Sequence, residues 1–221
     1  MKITLNVRYY MAEFFGSFLI FFTGIGAFYL TGNPFIGALS FGGSYLIAAM
    51  MLQHISHAHF NPVITLAAWI DKRLSMKELW IYLFGQVTGA LFGVVSLLLF
   101  ELPNISVITY DLFSLRTYTL EMFFAFIIVY VYLAVSEQKD RRPFLGLAVG
   151  VSYTLVFLLS TGMHEGGIIH PLRFVETGIL NASFNLLHLL ALWFSLEVGG
   201  LLAGLFYKYL KYQNTPIKNA Q

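Results

Sequence analysis

The side chains best placed to act in this chain stand at the heads of two short apolar runs, 61–70 and 170–180. The first opens Asn61-Pro62-Val63, and the second opens His170-Pro171-Leu172-Arg173. Asparagine is a favoured helix N-cap, and proline suits the first helical turn, where its missing N–H leaves no bond unmade. A helix N-terminus offers orphan N–H donors and positive potential, which serves recognition and exclusion rather than bond making. Glu13, Glu121 and Glu197 fall inside longer apolar stretches, where a buried carboxylate must find donors. His54, His57 and His59 are spaced closely enough to suggest a metal, but they fall in an extended loop and none is expected there. His164-Glu165 begins like a zinc-protease helix, yet Ile168 stands where its second histidine belongs. Cysteine is absent, which removes thiol catalysis and cysteine-ligated metal. The expectation is no catalytic residue, no cofactor and no enzyme.

These residues need elements that hold them in an apolar medium. The chain is 58% hydrophobic and 11% charged, with mean hydropathy +0.74. Soluble domains carry about 25% charge, so most of this surface must meet lipid. The net charge of +2 and the absence of basic stripes exclude a nucleic-acid partner. A spanning helix needs ~20 mostly apolar residues, and six such stretches are predicted, at about 10–30, 37–54, 79–100, 118–136, 144–161 and 187–210. The first is too long for a signal-peptide core. With six spans, 11 of the 13 basic residues fall on one side, only Arg116 and Arg173 lying elsewhere, so both termini are expected to be cytoplasmic.

The two short runs are then half-helices that start inside the membrane, which is tolerated only where backbone is buried in protein or lines a wet cavity. The chain also repeats itself. Tyr10-Met11-Ala12-Glu13 resembles Tyr118-Thr119-Leu120-Glu121, Asn61-Pro62 resembles His170-Pro171, and Gln86 with Gly89 and Gly93 resembles Glu197 with Gly200 and Gly204. The offsets lie between 108 and 111 residues. Each half holds an odd number of spans, so the second is inverted, a transport architecture. The predicted fold is an all-α membrane protein of six spans and two re-entrant half-helices. It forms one domain over 1–212, with repeats at about 8–100 and 116–211 and a disordered cytoplasmic tail at 213–221.

His54-Ile55-Ser56-His57-Ala58-His59-Phe60-Asn61-Pro62-Val63 resembles the first pore loop of the aquaporins and glycerol facilitators, the major intrinsic proteins. Gly166-Gly167-Ile168-Ile169-His170-Pro171-Leu172-Arg173 resembles the second, which ordinarily reads Asn-Pro-Ala-Arg. The resemblance implies a pore junction of Asn61, Pro62, Val63, His170, Pro171 and Leu172. It implies a selectivity filter of Phe41, Leu158, Gly167 and Arg173, and loop support from Glu13, Glu121, His54 and His59. That filter is less polar than a strict water filter and lacks the aromatic pair of glycerol facilitators. A homotetramer in a lipid bilayer is implied, and the short tails lead us to expect a bacterial inner membrane.

The expected activity is passive passage of water or small uncharged solutes, with ions and protons excluded by the two half-helix dipoles. The rivals are a glycerol or polyol facilitator with an atypical filter, a non-conducting structural member of the fold, and a coupled transporter using Glu197. His170 in place of asparagine leaves one N–H to donate when neutral and adds a charge when protonated. Permeability is therefore expected to vary between about pH 5 and 7.5, and His170→Asn to flatten that profile.

Overall fold

The computed structural model describes residues 4–100, 115–161, 169–180 and 186–213. Among the described residues every regular element is a helix. Six are long and apolar enough to cross a membrane: Leu5–Thr31, Pro34–Ser56, Met76–Leu97, Leu115–Ser136, Arg142–Ser160 and Leu190–Lys211. In lipid every backbone polar group must be satisfied within the protein, and helices do this segment by segment.

We number the helices α1 (Leu5–Leu19), α2 (Gly26–Thr31), α3 (Pro34–Ser56), α4 (Pro62–Ile70), α5 (Met76–Leu97), α6 (Leu115–Ser136), α7 (Leu145–Thr161), α8 (Pro171–Leu180) and α9 (Leu186–Gln213). The first span is α1 and α2 joined by a π-helical stretch, Ile20–Ile25, which hydropathy does not foretell. Some helices begin earlier than the apolar runs predict, because polar caps start them. Ser75 and Glu78 form a reciprocal capping box, so α5 opens in the charged turn Met76-Lys77-Glu78. Asn33 Oδ1 accepts from the Phe35 N–H at 2.9 Å and so starts α3.

The order span, span, half-helix, span occurs twice. α1 packs along α5 as α6 packs along α9, and α3 meets α7 across the halves. The half-helices α4 and α8 are the segments expected at 61–70 and 170–180, and each rests on both α5 and α9. Small residues let the third span of each half approach the first. A Cβ on Gly89 would collide with the Phe14 carbonyl of α1, and one on Gly199 with the Met122 carbonyl of α6. These obstacles are backbone, so they cannot rotate away. Gly89→Ala is expected to cost about 1–3 kcal/mol or more by overpacking, read as a lower thermal unfolding midpoint in detergent. Gly43, whose added Cβ meets nothing, is the control.

Candidate functional site

The two half-helices meet head to head. Asn61 caps α4, its Oδ1 accepting from the Val63 N–H at 2.8 Å. His170 caps α8 in the same way, its Nδ1 accepting from the Leu172 N–H at 3.2 Å. The residue before each cap, Phe60 and Ile169, has a left-handed backbone, with φ of 50° and 47°. Non-glycine residues at such φ are uncommon and collect at functional turns. The junction is tied across the repeat by His170 Nε2 and the Phe60 carbonyl, 2.9 Å apart. Because Nδ1 accepts from an N–H, the ring is the Nε2–H tautomer and Nε2 donates to Phe60. Both ring nitrogens are thus engaged within the protein. This alters the expectation that His170 would offer its N–H to a passing molecule, because that proton is committed to Phe60.

Around the junction lie buried rings, of which sequence reasoning named Phe41 and missed Tyr153, Phe21 and Tyr45. Tyr153 of α7 is fully buried, and its hydroxyl accepts from Asn61 Nδ2 at 2.6 Å. Phe41 of α3 meets Tyr153 at 5.4 Å and His170 at 6.2 Å between centroids. Phe21, which lies in the π-helical stretch, meets His170 at 5.1 Å. Tyr45 sits 5.3 Å from Tyr153, and its hydroxyl donates to the Ala58 carbonyl at 2.6 Å. Tyr45 and Tyr153 are separated by 108 residues, so they are partners in the repeat. That spacing was the available signal, hidden by the abundance of aromatics in apolar spans.

The pore loops hang on buried carboxylates. Glu13 accepts from the Ser56 hydroxyl at 2.6 Å, the His59 N–H at 3.2 Å, the Phe60 N–H at 2.8 Å and Gln86 Nε2 at 2.6 Å. Glu121 accepts from the Ile169 N–H at 2.7 Å. Both carboxylates accept from backbone N–H groups just ahead of the half-helices α4 and α8. His59 also holds its loop, with Nδ1 3.1 Å from Thr65 Oγ1. The Thr65 hydroxyl donates to the Asn61 carbonyl and accepts from Gln86, so His59 donates through Nδ1 and keeps Nε2 as an acceptor. His54 departs from expectation: it lies exposed in the last turn of α3, with no hydrogen bond among the described residues, because α3 runs on past it to Ser56.

Arg173, one turn into α8, is 4% exposed. Its guanidinium stacks over Phe157 at 4.3 Å from the ring centroid, a cation–π contact. Phe157 and Phe41 are 5.9 Å apart. The aromatic face of α7 beside the arginine therefore comes from Phe157, one residue before Leu158, and an aromatic pair is present where none was expected. The helical register decides this: Tyr153 and Phe157 share one buried face, while Leu158 turns partly away. Gly167 lies outside the described residues.

Known proteins resemble this chain in sequence and in fold. Residues 1–207 match the family described as "Major intrinsic protein". The chain belongs to the major intrinsic protein family. It is 28% identical over 214 residues to "Glycerol uptake facilitator protein-like 6" of Lactiplantibacillus plantarum, across 89% of this chain and 95% of the other. It is 26% identical over 234 residues to "Aquaporin Z" of Rhodopseudomonas palustris, across 96% and 97%. Its fold resembles that of the aquaglyceroporin from Plasmodium falciparum, with TM-score 0.74, 18% identity and coverage of 93% and 97%.

In this major intrinsic protein a cavity of about 450 Å³ opens on the side of the basic loops, with His59 and Tyr132 among its lining residues. The Tyr132 hydroxyl donates to the His57 carbonyl at 3.0 Å. His57 lies at the end of α3, and burial, then the nearby Arg142 charge, hold its imidazole below the usual pKa. Glu197 of α9, the repeat counterpart of Gln86, finds no donor for its buried Oε1 among the described residues. Among the described residues, the partner within the bundle that was one expectation for it is not there.

Proposed function

We propose that this chain is a passive channel for water and small uncharged solutes, and not an enzyme. We take it to exclude ions and protons, with its termini cytoplasmic in a bacterial inner membrane and its subunits in a homotetramer. The observation that carries the reading is the head-to-head pair of half-helix N-termini, with Asn61 and His170 as caps. Each N-terminus contributes roughly half a positive charge, and two of them facing one another repel cations and protons. Family membership and the bacterial relatives support it.

The test is stopped-flow light scattering on proteoliposomes, under a sucrose gradient and then a glycerol gradient. Shrinkage faster than in empty liposomes is expected. Folded protein that accelerates neither water nor glycerol would overturn the channel reading in favour of a non-conducting member. A polyol facilitator is the second reading, favoured by the Phe41 and Phe157 rings beside Arg173. Such a wall offers apolar surface to carbon and hydrogen-bond donors to hydroxyls. In Arg173→Ala the ratio of glycerol to water permeability should change several-fold. An unchanged ratio in a conducting variant removes Arg173 from the filter.

The junction geometry also revises the pH expectation. A proton on His170 Nδ1 would face the Leu172 N–H it now accepts from, and it would sit beside two positive helix ends. Permeability is therefore expected to stay level from about pH 5 to 7.5, the range in which an ordinary histidine titrates. A response that His170→Asn abolishes would show that the ring titrates after all.

A further inference from the structure

The cavity on the basic-loop side is built from both halves of the chain. The turn after α4 supplies Asp71 and Arg73, the end of α6 supplies Glu137, the turn before α7 supplies Arg142, and the end of α9 supplies Lys211. Its carboxylates are already served. Asp71 is held by Arg73 Nε at 2.7 Å and Lys208 at 3.2 Å. Glu137 is held by Arg73 at 3.4 Å, by Lys211 and by the Tyr207 hydroxyl. Arg73 is consumed in this clasp, its Nη1 also donating to Ser136 Oγ at 3.0 Å.

Arg142 is different. Its Nε donates to the Ser136 carbonyl at 3.3 Å, which fixes the plane of the guanidinium. Neither Nη has a partner among the described residues, although Arg142 lines the cavity. A guanidinium held by Nε presents its two Nη groups as a rigid fork, a geometry that matches an oxyanion bidentately. The three cations that line it, Arg73, Arg142 and Lys211, outnumber its two carboxylates, so the pocket attracts anions. Its lining also includes His59, which keeps Nε2 as a hydrogen-bond acceptor because Nδ1 is committed to Thr65. A cavity with a donor fork and a separate acceptor suits an ion that both accepts and donates. Hydrogen phosphate, with its P–O⁻ and P–OH groups, has that character. At about 450 Å³ the space lies within the usual range for small-ligand sites and holds a phosphate with room for an organic substituent.

We propose that this vestibule binds a phosphate-type oxyanion on the Arg142 guanidinium. The occupant would be a free phosphate species or the headgroup of an anionic phospholipid. The experiment follows thermal unfolding of the purified full chain in nanodiscs of zwitterionic lipid, with inorganic phosphate or chloride added at equal ionic strength. Phosphate is expected to raise the unfolding midpoint saturably, in the millimolar range, where chloride does not. Arg142→Gln should lose the shift. Arg141→Gln, whose residue does not line the cavity, should keep it. If phosphate does nothing but phosphatidylglycerol in the nanodisc stabilises the chain in an Arg142-dependent way, the headgroup is the occupant and the site stands. A shift that survives in Arg142→Gln, or the absence of a shift with either probe, overturns the proposal. Unfolding and not flux is measured, so the site can stand even if the transport reading fails.

Discussion

Proteoliposomes carrying Tyr153→Ala are expected to shrink under an osmotic gradient about tenfold faster than those carrying the native chain, or more. A tenfold rate corresponds to ~1.4 kcal/mol of barrier. The Tyr153 ring fills the junction beside Asn61, and its hydroxyl takes one of the amide protons that would otherwise be free for a permeating molecule. Breaking that bond contributes about 0.5–1.5 kcal/mol, and moving the ring away from Phe41 and Tyr45 adds a further cost that alanine does not bear. Tyr153→Phe separates the two contributions: it keeps the ring and frees Asn61, so only a few-fold gain is expected. Removing a buried ring of this kind costs roughly 3–5 kcal/mol of stability, so the variant must be shown to be folded before its flux is read. A folded Tyr153→Ala with the native rate would mean that Tyr153 is not the barrier.

Glu13→Leu is expected to leave almost no folded protein. Four donors converge on that carboxylate from the end of α3, the first pore loop and α5. Each buried donor left without an acceptor costs about 1–3 kcal/mol. Four of them together approach or exceed the ~5–15 kcal/mol by which proteins are stable. Glu13→Gln keeps one acceptor oxygen but turns an NH2 toward donors, so an intermediate loss is expected. The measurement is the monodisperse fraction of a detergent extract and its thermal midpoint. A well-folded Glu13→Leu would show that the loop stands without this support, and that the left-handed residues His57, Ala58 and Phe60 are held by the aromatic packing instead.

Much of this protein was legible in the residues themselves, for a physical reason. Lipid forbids unsatisfied backbone, so apolar length converts directly into spans, and basic residues sort by side. The six spans and two half-helices follow from those rules, together with the Asn-Pro and His-Pro caps and the repeat. That the Glu13 and Glu121 carboxylates need hydrogen-bond donors is legible too, because a buried carboxylate has few other uses.

What the tertiary structure decided concerns which face of each helix points inward and which hydrogen bonds are already taken. In spans this uniformly apolar, periodicity does not mark a buried face. It took the packing of α3 against α7 to put Phe41, Tyr153 and Phe157 at the junction and to prefer Phe157 to Leu158 beside Arg173. The commitment of both His170 nitrogens is likewise a property of two loops brought together from opposite ends of the chain, Phe60 and Leu172 being its partners. The sequence by itself determined the membrane fold and the poles of the site. Only the assembled bundle determined that the space between those poles is filled by rings, because contacts between residues about a hundred positions apart are written in no local pattern.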